Sequence, residues 1–140
     1  MFKIIHVDDD RDVREITKMA LELYEEFEVL SCGSGEEALC AIEQFTPDVF
    51  LLDVMMPDLD GPQILEKIRV LPRLAEVPVI FLTVRAAKNQ KDELWQIGPL
   101  DVITKPFDPL SLASQIKAVL NNMHDATLTN LASATFRTTG

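Results

Sequence analysis

Val49, Phe50, Leu51, Leu52, Asp53, Val54, Met55, Met56, Pro57, Asp58, Leu59, Asp60 and Gly61 form the stretch from which the fold is read. Its first four residues are apolar without interruption, Pro47 and Asp48 precede them, and an acid follows at once. Such a run is a strand buried on both faces whose carboxyl end opens onto solvent. Asp53 therefore sits at the rim of a sheet, where the loops of an open parallel sheet part and ligands bind. An Asp there can also do no more than start a polar turn, so the rest of the chain has to decide between the two.

Working outward, Ile4, Ile5 and Val7 make a short β-branched strand that runs into Asp8, Asp9 and Asp10, a second acidic strand end. Val13, Ile16, Ala20, Leu21 and Tyr24 follow at helical spacing. Phe27, Val29 and Leu30 predict a second strand. Ser34 with Glu37 opens a capped helix whose apolar face is Ala38, Leu39, Ala41, Ile42 and Phe45. Beyond Gly61, Pro62 stands at a helix start before Ile64, Leu65, Ile68 and Leu71. Val77 and Val79 to Leu82 predict a fourth strand ending in Thr83, with Pro78 near its beginning. The segment Ala86 to Ile97 has few apolar residues, Leu94 and Trp95 among them, and stops at Gly98 and Pro99. Val102 and Ile103 predict a fifth strand leading to Lys105. Asp108 then caps a last helix with Leu112, Ile116, Val119, Leu120 and Met123 on one face.

Five strands alternating with five helices predict an α/β fold, a doubly wound parallel sheet covered on both faces. The domain is expected over 1–123, with 124–140 a polar tail that is flexible or holds a short extra helix. One core suffices for 140 residues, of which 47% are hydrophobic and 26% charged. The net charge of -10 repels phosphate backbones and anionic lipid, which argues against direct nucleic-acid or membrane binding. Cys32 and Cys40 suit neither a zinc site nor a disulfide framework and are expected to be reduced, buried thiols. The apolar start is too short and too polar for a secretion signal or a span, so a cytoplasmic protein is expected.

Asp8 and Asp9, Asp53, Thr83 and Lys105 end four of the five strands, and each alone is an ordinary loop or strand residue. Gathered on one rim, three carboxylates would repel unless a cation neutralised them. Mg²⁺ suits such a site, because it takes a few carboxylates and keeps positions for water and phosphoryl oxygens. Lys105 adds a positive charge and Thr83 a hydroxyl, so the set can hold phosphoryl oxygens while a carboxylate attacks phosphorus.

In this order, Val7-Asp8-Asp9-Asp10, Leu52 to Gly61, Thr83 and Lys105-Pro106-Phe107, the chain resembles the receiver domains of two-component response regulators, from Phe2 to about Met123. The resemblance implies a flavodoxin-like (βα)5 sheet of strand order 2-1-3-4-5. It implies Asp53 as phosphoacceptor from a sensor histidine kinase or a phosphotransfer protein. Asp8, Asp9, Asp53 and the main-chain oxygen of Met55 would hold Mg²⁺, and Lys105 and Thr83 would contact the phosphoryl group. A cis bond between Lys105 and Pro106 also follows from it. On this reading the protein is a stand-alone regulatory module and not an enzyme. Its output would pass through the fourth helix, fifth strand and fifth helix, with Trp95 on that surface if it is exposed. The chain departs from the family at Val102, where an aromatic switch residue is usual, and at Val84, usually smaller. Arg85 and Met55 flank the site at positions that commonly tune phosphoryl lifetime. A second reading, from another class, is a small Mg²⁺-dependent phosphatase that forms an aspartyl-phosphate, since Asp8 and Asp10 satisfy its Asp-x-Asp pattern.

Overall fold

Short β-branched and aromatic runs alternate with amphipathic segments, and each run becomes a strand with a helix behind it. The computed structural model describes residues 2–84, 88–108 and 110–121, and the side chains of 88–91 are not described. The expectations for Arg85, Ala86, Met123 and the tail 124–140 therefore lie outside the described residues. In chain order the elements are β1 (Phe2–Val7), α1 (Arg11–Glu22), β2 (Phe27–Cys32), α2 (Gly35–Ala41), β3 (Val49–Asp53), α3 (Gly61–Arg69), a 3-10 turn (Pro72–Leu74), β4 (Val79–Val84), α4 (Lys88–Ile97), β5 (Asp101–Lys105) and α5 (110–121).

All strand pairs are parallel, and the sheet order is β2-β1-β3-β4-β5, as expected. Alternation along the strands splits the core in two. Ile5, Val7, Phe50, Leu52, Val79 and Phe81 face Ala38, Ile42, Ile64, Leu65 and Ile68 of the α2 and α3 layer. Ile4, Val49, Leu51, Ile80 and Leu82 face Leu21, Leu112, Ala113 and Ile116 of the α1 and α5 layer. Each of the large side chains buried here contributes roughly 1.5–3 kcal/mol.

Register sets the site. Val7 pairs with both Cys32 and Leu52, so Asp8 and Asp53 leave neighbouring strands at one level. Asp53 pairs with Leu82 and Thr83 with Thr104, so Thr83 and then Lys105 stand one step further along the same rim.

Local signals explain the caps. Asp10 accepts from the N–H groups of Asp12 and Val13, Ser34 from that of Glu37, and Asp60 with Gln63 closes a full capping box that leaves Pro62 in the first turn of α3. Gly98 ends α4 at φ +101°, and Asp108 caps α5 through the N–H of Leu110 and the hydroxyl of Ser111.

Some expectations are corrected. Ile16 is 53% exposed and Tyr24 is exposed, while Thr17 is buried beside Ala20 and Leu21. The inward stripe of α1 keeps Ala20 and Leu21 but is turned by roughly 30° from the face that the apolar residues suggest, toward Thr17 and away from Ile16. Cys40 is exposed while Cys32 is buried, because Ala38 and Ile42 take the inward face of α2. Burial, with Glu37 nearby, pushes the Cys32 thiol up to about 11, so it stays protonated. Trp95 is exposed, which meets the condition for its place on the surface of α4, and Met55 is exposed beside the site. Among the described residues no helix is long and apolar enough to cross a membrane.

Candidate functional site

Where β1 and β3 end side by side, one carboxylate oxygen from each of Asp8, Asp9 and Asp53 lies within 4.8 Å of the other two. Asp8 and Asp53 are buried and Asp9 is exposed, so the cluster has a floor and an open side. Lys105 reaches in from the end of β5. Its Nζ donates to Asp8 Oδ2 at 2.6 Å and lies 3.4 Å from Asp53 Oδ2. The ammonium thus binds Asp8 more closely than Asp53, which the sequence does not disclose. Lys105-Pro106 is cis.

Backbone groups fix the remaining oxygens. The N–H of Asp10 donates to Asp8 Oδ1 at 2.9 Å, and that of Met55 to Asp53 Oδ1 at 3.3 Å. Arg14 donates from Nη1 to the carbonyl of Asp8 at 2.7 Å, which ties α1 to the loop carrying the acids. Gly61 is needed because its N–H faces the carbonyl of Val54, and a Cβ there would stand 2.8 Å from the carbonyl oxygen of Asp53. Thr83 is buried, and its hydroxyl donates to the carbonyl of Val84 at 3.1 Å. Val84 is exposed and Val102 packs against the core.

The electrostatics follow from this crowding. Burial and then the charge of Asp8 push the Asp53 carboxyl up to about 6, against the opposing pull of Lys105 and the N–H of Met55. Burial disfavours the Lys105 ammonium, but the bond to Asp8 and the charges of Asp53 and Asp8 outweigh it and hold its pKa above the ordinary lysine range. Beneath them lies His6, fully buried on β1, with Nε2 3.9 Å from Asp8 Oδ2. Burial brings its pKa down to about 4, so the ring is neutral, and among the described residues neither ring nitrogen has a hydrogen-bond partner.

Among the described residues three carboxylates share this rim with one ammonium, so the acids are in excess. Converging hard oxygen donors with one open side and excess negative charge fit a divalent cation of the Mg²⁺ type.

The family model for the response regulator receiver domain matches residues 4–117. The chain belongs to that receiver-domain family. It is similar to the transcriptional regulatory protein CpxR of Escherichia coli, 36% identical over 124 residues, covering 89% of this chain and 51% of that protein. The phosphate regulon transcriptional regulatory protein PhoB of Pseudomonas aeruginosa is 33% identical over 117 residues, covering 84% of this chain and 51% of PhoB. The chain thus spans about half the length of these curated relatives. Among solved structures, the chemotaxis protein CheY4 of Vibrio cholerae superposes with a TM-score of 0.78 at 28% identity, covering 85% of this chain and 98% of that one.

Membership of the receiver family gives no support to the phosphatase reading. The geometry explains the false match: the side chain of Asp10, the second acid of the Asp-x-Asp pattern, caps α1 instead of joining the cluster. The rim brings the side chains of Asp8, Asp9, Asp53 and Lys105 together, while Thr83 stands at the same sheet edge with its hydroxyl on the carbonyl of Val84. It adds Arg14 and His6, which the sequence reading passes over. The Arg14 signal is faint, a basic residue in the first turn of a helix that starts just after the acids.

Proposed function

We propose that this receiver accepts a phosphoryl group on Asp53 from the phosphohistidine of a sensor histidine kinase or a phosphotransfer protein. The observation that carries this is the convergence of Asp8, Asp9 and Asp53 on one open rim with Lys105 reaching between Asp8 and Asp53. Asp53 Oδ1 is engaged by the N–H of Met55, which leaves Oδ2 as the attacking atom. A new P–O bond forms there as the bond from phosphorus to the donor nitrogen breaks, and the donor ring leaves with its electron pair. Asp8, Asp9, Asp53 and the main-chain oxygen of Met55 would hold Mg²⁺, which would supply the positive charge that lets the acids share the rim and receive phosphoryl oxygens.

Lys105 offsets the charge of the incoming phosphoryl group, and Thr83 turns its hydroxyl from the carbonyl of Val84 to a phosphoryl oxygen. The protein is a regulatory phosphoacceptor that assists only its own phosphorylation and dephosphorylation, in the cytoplasm, without binding nucleic acid or membrane through this domain. Output passes through the face of α4, β5 and α5. Among the described side chains of α4 only Leu94 is buried, while Trp95 and Ile97 are exposed, so this helix is free to shift when Thr83 moves.

Incubation with acetyl phosphate and Mg²⁺, followed by intact-mass measurement, tests the proposal. Wild type should gain one phosphoryl group, and neither Asp53→Asn nor wild type in EDTA should gain any. Equal modification of Asp53→Asn would overturn the assignment.

A further inference from the structure

Beneath the rim lies His6, a buried titratable group that the chemistry above does not use. Strand alternation sets it on the same face of β1 as Ile4 and Asp8, under the α1 and α5 layer. It is completely buried, yet among the described residues neither ring nitrogen has a partner, a costly condition that a packing residue such as Leu or Val would avoid. Its nearest charged atom is Asp8 Oδ2 at 3.9 Å, the same oxygen that receives the Lys105 bond at 2.6 Å.

That oxygen has a problem once Asp53 is phosphorylated. Asp8 is fully buried, and its Oδ1 already accepts from the N–H of Asp10. Mg²⁺ would draw on Asp8 from the open side, but when Lys105 turns toward the phosphoryl oxygens Oδ2 gives up the Lys105 hydrogen bond, and on its buried side it faces His6. A neutral imidazole carries one N–H, and closing from 3.9 Å to hydrogen-bond distance takes about 1 Å of ring movement. We propose that His6 is a positioning residue for Asp8, whose Nε2–H takes over the Oδ2 hydrogen bond when Lys105 leaves it for the phosphoryl group. This rests on the phosphoacceptor reading of Asp53 and assigns to β1 a part in holding the phosphorylated state. No proton is transferred; one donor replaces another.

The test uses the full chain with beryllofluoride as the phosphoryl mimic at saturating Mg²⁺. In ¹⁵N-labelled wild type, the Nε2–H proton of His6 should become slow to exchange and move downfield on adding beryllofluoride. In titrations, His6→Leu should bind beryllofluoride roughly ten-fold more weakly, as expected for one hydrogen bond to a charged group, without losing stability as the free protein. His6→Gln, which restores an N–H at similar reach, should recover most of that loss. An unchanged His6 ring signal on loading, or equal beryllofluoride binding by wild type and His6→Leu, overturns the inference while leaving Asp53 as acceptor. Failure of wild type itself to bind beryllofluoride or to be phosphorylated removes the phosphoacceptor reading and this inference with it. Should His6→Leu fold poorly, the wild-type ring signal still decides.

Discussion

Replacing Asp53 by Asn should make the metal-free protein more stable at neutral pH. The Asp53 carboxyl is pushed from 3.8 up to about 6 in the folded chain, so between those values the folded state binds more protons than the unfolded state. Stability from this group is complete below about pH 4 and is lost as pH rises through about 6. A carboxyl raised this far withholds roughly 3 kcal/mol at pH 7.5. That figure is already net of the opposing pull of Lys105, so Asn, which removes the charge, should gain about the same, roughly 3 kcal/mol. Urea unfolding in EDTA reads this directly, as a midpoint about 1 M higher for Asp53→Asn at pH 7.5. At pH 4 wild type recovers most of the withheld stability, and the difference should shrink to about 0.5 kcal/mol. Saturating Mg²⁺ should also narrow the difference, since wild type binds the ion better. A variant no more stable than wild type at pH 7.5, or an advantage undiminished at pH 4, would refute this electrostatic picture.

Lys105→Met leaves the buried Asp8 carboxylate without its cation, so stability in EDTA should fall by roughly 3 kcal/mol and Mg²⁺ should restore much of it, as thermal melts with and without the ion will show. Gly61→Ala sets a Cβ 2.8 Å from the carbonyl oxygen of Asp53, and should cost roughly 1–3 kcal/mol in urea unfolding and slow labelling by acetyl phosphate. Amide exchange across α4 should change on beryllofluoride loading while the central strand β3 stays protected; unchanged exchange in α4 would remove it from the signalling route.

Much of this is legible in the sequence because the buried strands read as unbroken apolar runs. Leu51 and Leu52 can only be central, and an acid straight after them can only be at a rim. The caps at Ser34 and Asp108 follow equally local rules. Helix faces are harder. A stripe read as Val13, Ile16, Ala20, Leu21 and Tyr24 shares Ala20 and Leu21 with the buried one but misses Thr17, and only the sheet beneath α1 selects between them. Cys40 is misplaced for the same reason. The preference of Lys105 for Asp8 over Asp53 depends on registers accumulated across β1, β3, β4 and β5, which no local pattern encodes. His6 reads as a strand residue until its unpaired nitrogens are seen beside Asp8.

The account stands on the three rim carboxylates forming a single cation site. Crystals soaked in Mn²⁺ and measured at its absorption edge locate a bound ion without assumption. One anomalous peak should lie within bonding distance of oxygens from Asp8, Asp9 and Asp53. A peak only elsewhere, or none at the rim while these side chains are ordered, would contradict it.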